Sequence, residues 1–331
     1  MVMVSRKGRF DALTLVATLV GTPLAAAPLP GLPAPRWELG VRFENDFFAG
    51  TDRGYTNGGA VSVTREGAGW LAPLADRLPW GRGRRAVSVE AGQLMFTPAD
   101  LSRSSPDPSD RPYAALLFAA VSLHVDTPSR YDGFKLVSGV VGPGADAAQA
   151  QRMVHRAIHD VQPQGWGHQL RDEPILNLVY EQRRKLPLAG DARGLSAQAL
   201  PSVDVMAGNV LDQLGVGARL RVGWRVPDDF GGTLMRGMVE PAPPRRSEAW
   251  GFWLFSGVEG DAIARNLTLD GNTFVRGPRV RHRPFLPVWD GGFGAGNGRF
   301  QFTFTRVYWG QEFYGQKSPS RFGAIDANFL F

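Results

Sequence analysis

The sequence contains no cysteine among its 331 residues. Disulfide bonds, thiol nucleophiles and cysteine-based zinc sites are therefore excluded. Long apolar runs are also missing, because no stretch approaches the roughly 20 apolar residues that a membrane-spanning helix needs. A bundle of membrane helices is thereby excluded, although a hydrophobic content of 43% is sufficient for one large domain.

The N-terminus has the composition of an export signal. The basic residues Arg6, Lys7 and Arg9 precede an apolar run, and small residues follow as far as Ala27. This order predicts a signal peptide over residues 1–27, and we expect the Pro-rich residues 28–35 to lead into the first strand. Removal of the signal changes the formal net charge of +6 to about +4, which suits an anionic lipid surface and is too small to indicate nucleic acid.

From Trp37 onward, apolar and polar residues alternate with the period of two that is typical of β-strands. The alternation recurs along the chain and is sharpest in residues 300–305 and 325–331. We count about twelve such segments. A water-soluble sandwich would also alternate, but its polar faces are usually richer in Lys, Glu and Thr than these segments are.

An export signal followed by alternating strands of roughly ten residues favours a transmembrane barrel, in which lipid-facing and lumen-facing residues alternate. Closure of the barrel removes strand edges, which a bilayer cannot solvate. We therefore predict an all-β protein of the bacterial outer membrane, an antiparallel barrel of about 12 strands over residues 36–331. Phe331 resembles the C-terminal aromatic by which outer-membrane assembly machinery recognises such barrels.

One segment breaks the strand pattern. Strong helix formers fill residues 145–159 without Gly or Pro, which predicts a short helix around 145–160, inserted in a loop of the barrel. Gln151, His155 and His159 recur every four residues and therefore share one helix face. Such a face is often simply solvated, but histidine also has an unperturbed pKa of about 6.5 and can act as a general base. Spacing alone does not choose between His155 and His159.

Six short motifs occur in an order that resembles one protein family. They lie at residues 44–48, 51–58, 93–98, 110–114, 142–155 and 165–166. Taken singly, these motifs contain ordinary turn and strand residues. In this order they resemble the lipid A 3′-O-deacylase family, LpxR, with the specific matches between about residues 44 and 180 and weaker similarity to the C-terminus.

The resemblance implies a twelve-stranded outer-membrane enzyme that hydrolyses the 3′-linked acyloxyacyl ester of lipid A, the anchor of lipopolysaccharide, with a dependence on Ca²⁺. By position, the functional residues of the family fall on Asn45, Asp46, Tyr55, Thr56, Gln151 and His155. The catalytic histidine would be His155. An acidic residue that some members carry six positions later is replaced here by Val161, so a metal ligand is missing there unless Asp160 takes its place.

Ester hydrolysis needs an activated nucleophile and stabilisation of the developing oxyanion. No Gly-x-Ser-x-Gly elbow occurs in the sequence, so we expect direct attack by water. In this hypothesis His155 activates the water while Gln151 and Asn45 hold the geometry. Asp46 would help to bind Ca²⁺, which prefers oxygen ligands and can polarise an ester carbonyl.

Lipid A carries phosphate groups, which cationic side chains near the site would contact. Arg53, Arg103 and Arg111 lie in flanking loops and are the candidates, with Arg103 matching a basic position of the family if no gap intervenes. Isolated loop arginines are more often merely solvated. Two other functions stay open: an outer-membrane phospholipase, which would be expected to use a serine nucleophile, and a non-catalytic barrel or channel.

Overall fold

The structure is a computed structural model that describes residues 36–50, 53–78, 83–191, 193–232 and 249–331. The predicted signal peptide and the Pro-rich leader lie outside the described residues. The strands are β1 (Trp37–Asn45), β2 (Gly54–Glu66), β3 (Arg84–Thr97), β4 (Ala114–Asp126), β5 (Arg130–Val141), β6 (Glu173–Arg184), β7 (Leu186–Gly190), β8 (Leu195–Gly208), β9 (Leu211–Trp224), β10 (Gly251–Asn266), β11 (Phe285–Gly296), β12 (Phe300–Trp309) and β13 (Ser320–Leu330).

Helical structure is confined to short segments in the described residues. The α-helices span Ala72–Ala75, Ala147–Ile158 and Leu267–Asp270. Single turns of 3-10 helix span Asp46–Ala49, Gly69–Leu71, Pro143–Ala145 and Gly165–His168. No helix in the described part of the chain is long and apolar enough to cross a membrane.

Twelve of the thirteen strands form a closed antiparallel barrel. Each strand from β1 to β6 pairs with the next, β8 follows β6 in the wall, and the series continues to β13, which pairs with β1. At this seam Trp37 and Phe331 exchange backbone hydrogen bonds of 3.0 and 2.9 Å. The extra strand, β7, pairs with β8 beyond the end of β6. The prediction of an all-β barrel of about 12 strands is confirmed.

The two faces of the wall have the polarity of a barrel in lipid. In β1, Val41 and Phe43 are 47% and 42% exposed, whereas the intervening Arg42 and the following Glu44 are only 6% and 0% exposed. Exposure of apolar surface to water costs a free energy of about 25 cal/mol per Å². The apolar outer face is therefore more stable in contact with acyl chains than in water. The lumen side carries buried charges such as Arg42 and Glu44, and toward one end it also contains an apolar cluster that includes Leu94 and Trp309.

Several charges inside the lumen form ion pairs. Lys135 lies 3.0 Å from Glu90, and Arg219 lies 2.9 Å from Asp290. A buried charge without a partner would be costly, so these pairs make a polar interior compatible with a stable wall.

Residues 226–232, which follow β9, fold into the lumen near the end that carries both Trp37 and Phe331. The carboxylate of Asp229 accepts hydrogen bonds from Arg221 of β9 and, at 3.2 Å, from Gln301 of β12. Arg183 of β6 donates to the backbone carbonyls of this segment at 2.8–3.1 Å. Because its contacts reach three separate strands, the segment lies across the lumen.

Six connections lie at the opposite end of the barrel, which we call the loop end. They are residues 46–53, 98–113, 142–172, 209–210, 267–284 and 310–319. The longest of them carries the helix Ala147–Ile158, which we call the inserted helix and which falls within the predicted range 145–160. Outer-membrane barrels place their longer loops outside the cell, so the loop end is the extracellular end.

The inserted helix packs on the outside of the barrel wall. Leu94 and Phe96 of β3 belong to the apolar cluster on the lumen side, so Met95 between them points outward. Met95 is nevertheless only 5% exposed, because it packs in a separate cluster with Ala147 and Trp166. The helical segment therefore covers a patch of wall that would otherwise contact lipid.

Candidate active site

The inserted helix directs two of its three candidate polar residues toward the wall. Gln151 and His155 are 4% and 5% exposed, whereas His159 is exposed. His159 ends the helix with a φ of 58°, the left-handed conformation that often terminates helices. The structure thus distinguishes two residues that spacing left equivalent: His155 is buried against the barrel, and His159 makes the turn.

The turn at the helix end determines the tautomer of His155. The chain reverses after His159, and the backbone N–H of Asp160 donates to the carbonyl of His155 at 2.9 Å. The carbonyl oxygen of Val161 then lies 2.6 Å from His155 Nδ1. Because a carbonyl only accepts, Nδ1 carries the hydrogen and the basic lone pair is on Nε2. Position 161, which lacks the acidic side chain, therefore acts on the histidine through its backbone.

Gln151 is held in one amide orientation. Trp166 Nε1 donates to Gln151 Oε1 at 2.7 Å, and the Trp166 ring packs on Tyr113 with a centroid separation of 4.8 Å. Indole N–H is a donor only, so the oxygen of the amide must face it. The buried nitrogen of Gln151 has no hydrogen-bond partner in the described structure, and its two N–H groups point away from Trp166.

The connection after β1 positions Asn45 and Asp46. Asn45 Oδ1 accepts from the backbone N–H of Phe47 at 2.7 Å and caps the 3-10 helix Asp46–Ala49. The carboxylate of Asp46 is 1% exposed and accepts from the backbone N–H of Arg53. This bond closes the connection, so both side chains are held by local backbone.

A β-bulge places Thr56. Tyr55 pairs with Phe96 and Asn57 pairs with Met95, which leaves Thr56 as the extra residue of β2. Thr56 is 4% exposed, and its hydroxyl lies 2.6 Å from that of Thr97 on β3.

Tyr55 points the other way, into the lumen. Its hydroxyl donates to Glu44 at 2.7 Å, and both side chains are buried. The six positions named by the resemblance therefore divide between two faces of the wall. Tyr55 lies on the lumen face, while Gln151 and His155 lie over the outer face.

A pocket of about 250 Å³ lies at the loop end beside these residues. Its cationic lining residues are Arg53, Arg103, Arg111, Lys317 and Arg321. The structure thus brings the three arginines predicted from sequence to one place, and adds Lys317 from the connection between β12 and β13 and Arg321 from the start of β13.

Arg111 differs from the solvated loop arginine expected from sequence. It is 1% exposed, and its guanidinium nitrogens lie 3.2 Å from both Glu312 and Thr268. The guanidinium also lies over the Phe96 ring at 4.7 Å. Burial lowers the pKa of Arg111, and the carboxylate of Glu312 opposes that shift. Arg111 forms the rigid floor of the pocket.

Comparison with known families identifies the chain. The family model described as outer membrane protein LpxR matches residues 12–331. The chain belongs to the LpxR family. It is a protein of the bacterial outer membrane, and the family resemblance drawn from its motifs is confirmed.

The fold agrees with that of LpxR from Salmonella typhimurium, which is 19% identical, with a TM-score of 0.71, over 89% of this chain and 100% of that chain. The beta domain of the Bordetella autotransporter BrkA is 11% identical, with a TM-score of 0.40, over 90% of this chain and 98% of that chain. No curated protein matches the sequence significantly.

The described side chains of the candidate site do not form a closed calcium site. Calcium takes six to eight oxygen ligands. No group of three or more His, Asp or Glu side chains that could hold a metal occurs in the described ranges. Asp46 is the buried carboxylate of the candidate site, and its hydrogen bond to the Arg53 backbone orients it. Water and substrate oxygens would have to complete the coordination of a cation held there.

Sequence reasoning missed three contributors. Lys317 lies in the distant connection before β13 and Arg321 at the start of that strand, and nothing in their local pattern indicates a site. Trp166 lies in a recognised motif, but its hydrogen bond to Gln151 depends on how the segment after the inserted helix folds back.

Proposed function

We propose that this LpxR-family protein is a lipid A deacylase, an ester hydrolase that releases the 3′-linked acyloxyacyl group. The observation that carries the proposal is the contact between His155 Nδ1 and the Val161 carbonyl, which leaves Nε2 as the basic atom of a buried imidazole. Family membership and the likeness to LpxR from Salmonella typhimurium support the same activity.

In the proposed reaction, His155 Nε2 removes a proton from water as the water oxygen attacks the ester carbonyl carbon. The resulting imidazolium keeps its Nδ1–H bond to Val161. When the tetrahedral intermediate collapses, the carbon–oxygen bond to the sugar breaks, and the sugar oxygen takes the proton from His155. The products are a fatty acid and a free sugar hydroxyl.

The amide of Gln151 is suited to stabilise the oxyanion. Its N–H groups are buried, oriented by Trp166 and without a hydrogen-bond partner in the described structure. Preorganised donors of this kind are worth about 10²–10³ in rate. Asn45 and Thr56 would position the wall side of the site, since the backbone N–H of Phe47 holds Asn45 and the hydroxyl of Thr97 on β3 holds Thr56.

The location of the inserted helix suits a substrate that stays in the membrane. Met153 and Val154 on the helix are 63% and 51% exposed, and Phe47 beside Asp46 is 72% exposed. Apolar side chains at the extracellular rim would contact acyl chains of the outer leaflet, so an ester can reach His155 without leaving the lipid layer.

Calcium belongs to the proposal as a cation held by Asp46 together with water and substrate oxygens. When bound, it would supply Lewis-acid polarisation of the ester carbonyl. The exposed Phe331 is likewise proposed as the contact for the assembly machinery.

Mass spectrometry of lipids from cells that produce the protein tests the activity. Wild type should release one acyloxyacyl group from lipid A and leave glycerophospholipids intact, and His155→Ala should abolish this change. A chelator in the growth medium or membrane suspension tests the cation. Altered phospholipids with unaltered lipid A would instead favour a phospholipase, and ion conductance without any lipid change would favour a channel.

A further inference from the structure

The pocket at the loop end contains charges of both signs in an ordered arrangement. Besides its cations, it is lined by Asp100, Asp107 and Asp110. Asp100 accepts from the backbone and hydroxyl of Ser102 at 3.0 and 2.6 Å, and these bonds lower the pKa of Asp100. Asp107 is bound in the same way by Ser109, which lowers the pKa of Asp107.

All three carboxylates therefore also organise the connection between β3 and β4. Asp110 accepts from the backbone N–H groups of Ala99 and Arg111, each at 2.7 Å. Arg103 lies 3.8 Å from Asp107 and keeps half of its side chain exposed. The lining thus has five cations against three carboxylates that are already hydrogen-bonded to backbone or hydroxyl groups.

Two backbone contacts join this pocket to the candidate active site. On one side, the backbone N–H of Arg53, a pocket residue, donates to Asp46. On the other side, Gly165 packs so closely on the Arg103 carbonyl and the Tyr113 ring that a Cβ would lie 3.1 and 2.5 Å from them. Gly165 precedes Trp166, which orients Gln151. The pocket and the proposed ester site therefore have common walls.

The geometry points to this pocket as the subsite for one anionic sugar of the substrate's head group, with the cations binding a phosphate or carboxylate and the aspartates accepting from sugar hydroxyls. A volume of about 250 Å³ is below the roughly 300–1,000 Å³ of drug-sized ligand sites, so it suits one ring rather than a whole disaccharide. The inference rests on the proposed function, because the acyl ester at His155 determines which part of the lipid lies nearby.

Lys317→Gln and the double variant Lys317→Gln with Arg321→Gln test the subsite, since both residues are exposed and neither belongs to the inserted helix or to the connection after β1. Arg276→Gln is the matched control, because it removes one exposed cation at the loop end that does not line the pocket. Three purified substrates separate the sources of negative charge: lipid A with its phosphates, dephosphorylated lipid A, and lipid A that carries acidic core sugars.

We expect Lys317→Gln to raise KM about tenfold for at least one of the two anionic substrates, as for loss of one charge-assisted hydrogen bond. The double variant should raise it further, and the preference over the dephosphorylated substrate should fall in parallel. An effect confined to the core-bearing substrate would assign the site to a carboxylate, and an effect on lipid A itself would assign it to a phosphate. KM values equal to those of the Arg276 control on all three substrates would overturn the inference.

Binding measured with an inactive variant distinguishes a role in the subsite from a role in catalysis. In a His155→Ala background, retention of phosphorylated or core-bearing lipid A in detergent micelles should weaken with Lys317→Gln and stay unchanged with Arg276→Gln. If wild type hydrolyses no lipid A while this difference in binding persists, the proposed function fails and the subsite stands. If hydrolysis proceeds and the binding difference is absent, the subsite fails alone.

Discussion

Trp166 donates a hydrogen bond of 2.7 Å to the side-chain oxygen of Gln151, and this contact decides which end of the amide faces the candidate active site. The two residues lie on opposite sides of the turn that follows the inserted helix. The amide orientation is therefore a property of the folded connection and not of the helix alone.

Trp166→Phe should lower kcat about tenfold, because the apolar ring still fills the space but the amide loses the donor that orients it. Gln151→Glu should lower kcat by roughly 10²–10³, because an acceptor would replace the proposed oxyanion donor. Initial rates on purified lipid A measure both effects. Wild-type kcat in Gln151→Glu would contradict the role of the amide, and heat-modifiable migration on gels checks that the barrel is intact.

His159→Gly should keep activity within about twofold, since glycine adopts the left-handed conformation without strain. His159→Val should lower both activity and helix stability, because a β-branched residue is strained at a φ of 58°. The imidazole at position 159 is dispensable in this view. If the glycine variant were as inactive as His155→Ala, the assignment of the base would have to be reconsidered.

Substitutions in the hydroxyl pair of Thr56 and Thr97 can distinguish a structural role of Thr56 from a role in positioning substrate. Thr56→Val alone should destabilise the barrel by about 1–3 kcal/mol, because it leaves the buried Thr97 hydroxyl without its partner. Adding Thr97→Val should restore much of the stability, which urea unfolding in detergent would measure. If Thr56 takes part in positioning substrate, the double variant should stay slow; recovery of full activity would make the pair purely structural.

Asp46→Asn should raise the calcium concentration needed for half-maximal activity, because the amide keeps the hydrogen bond from the Arg53 backbone but loses the negative charge. Calcium titration after chelation measures this shift. Asp172→Asn is the control in the connection that carries the inserted helix, since Asp172 is exposed and its carboxylate accepts from the backbone N–H of Gly144. Equal calcium requirements in wild type and Asp46→Asn would remove Asp46 from the cation site.

The segment 226–232 should block ion flow through the lumen. Burial alone would raise the pKa of Asp229, but the Arg221 guanidinium holds that pKa below its ordinary value. The ionised carboxylate of Asp229 therefore contributes fully to stability at a pH above the pKa of an unfolded Asp, near 3.9. This contribution is lost as the pH falls through the lower pKa of the folded protein. In planar bilayers, wild type should stay closed from neutral pH down to about 4, and Asp229→Asn should conduct at neutral pH. Steady conductance of wild type at neutral pH would contradict the plug.

Period-two alternation was sufficient to predict the barrel, because a wall between lipid and a polar lumen imposes opposite polarity on successive residues such as Val41 and Arg42. The inserted helix was equally predictable from its composition. The choice between His155 and His159 was not, since it depends on a backbone turn that spacing does not encode. The burial of Arg111 was also unpredictable, because its partner Glu312 lies in a connection far along the sequence.

The reciprocal backbone bonds of Trp37 and Phe331 impose an order on biogenesis. The first strand, β1, pairs with β13 and can do so only after β13 has been synthesised. One edge of β1 therefore stays unpaired while the rest of the wall is made. Sealing is therefore a late, long-range event, slow by its topology. Any assembly factor that shields or templates the unpaired edge of β1 would therefore act on the first and last strands together.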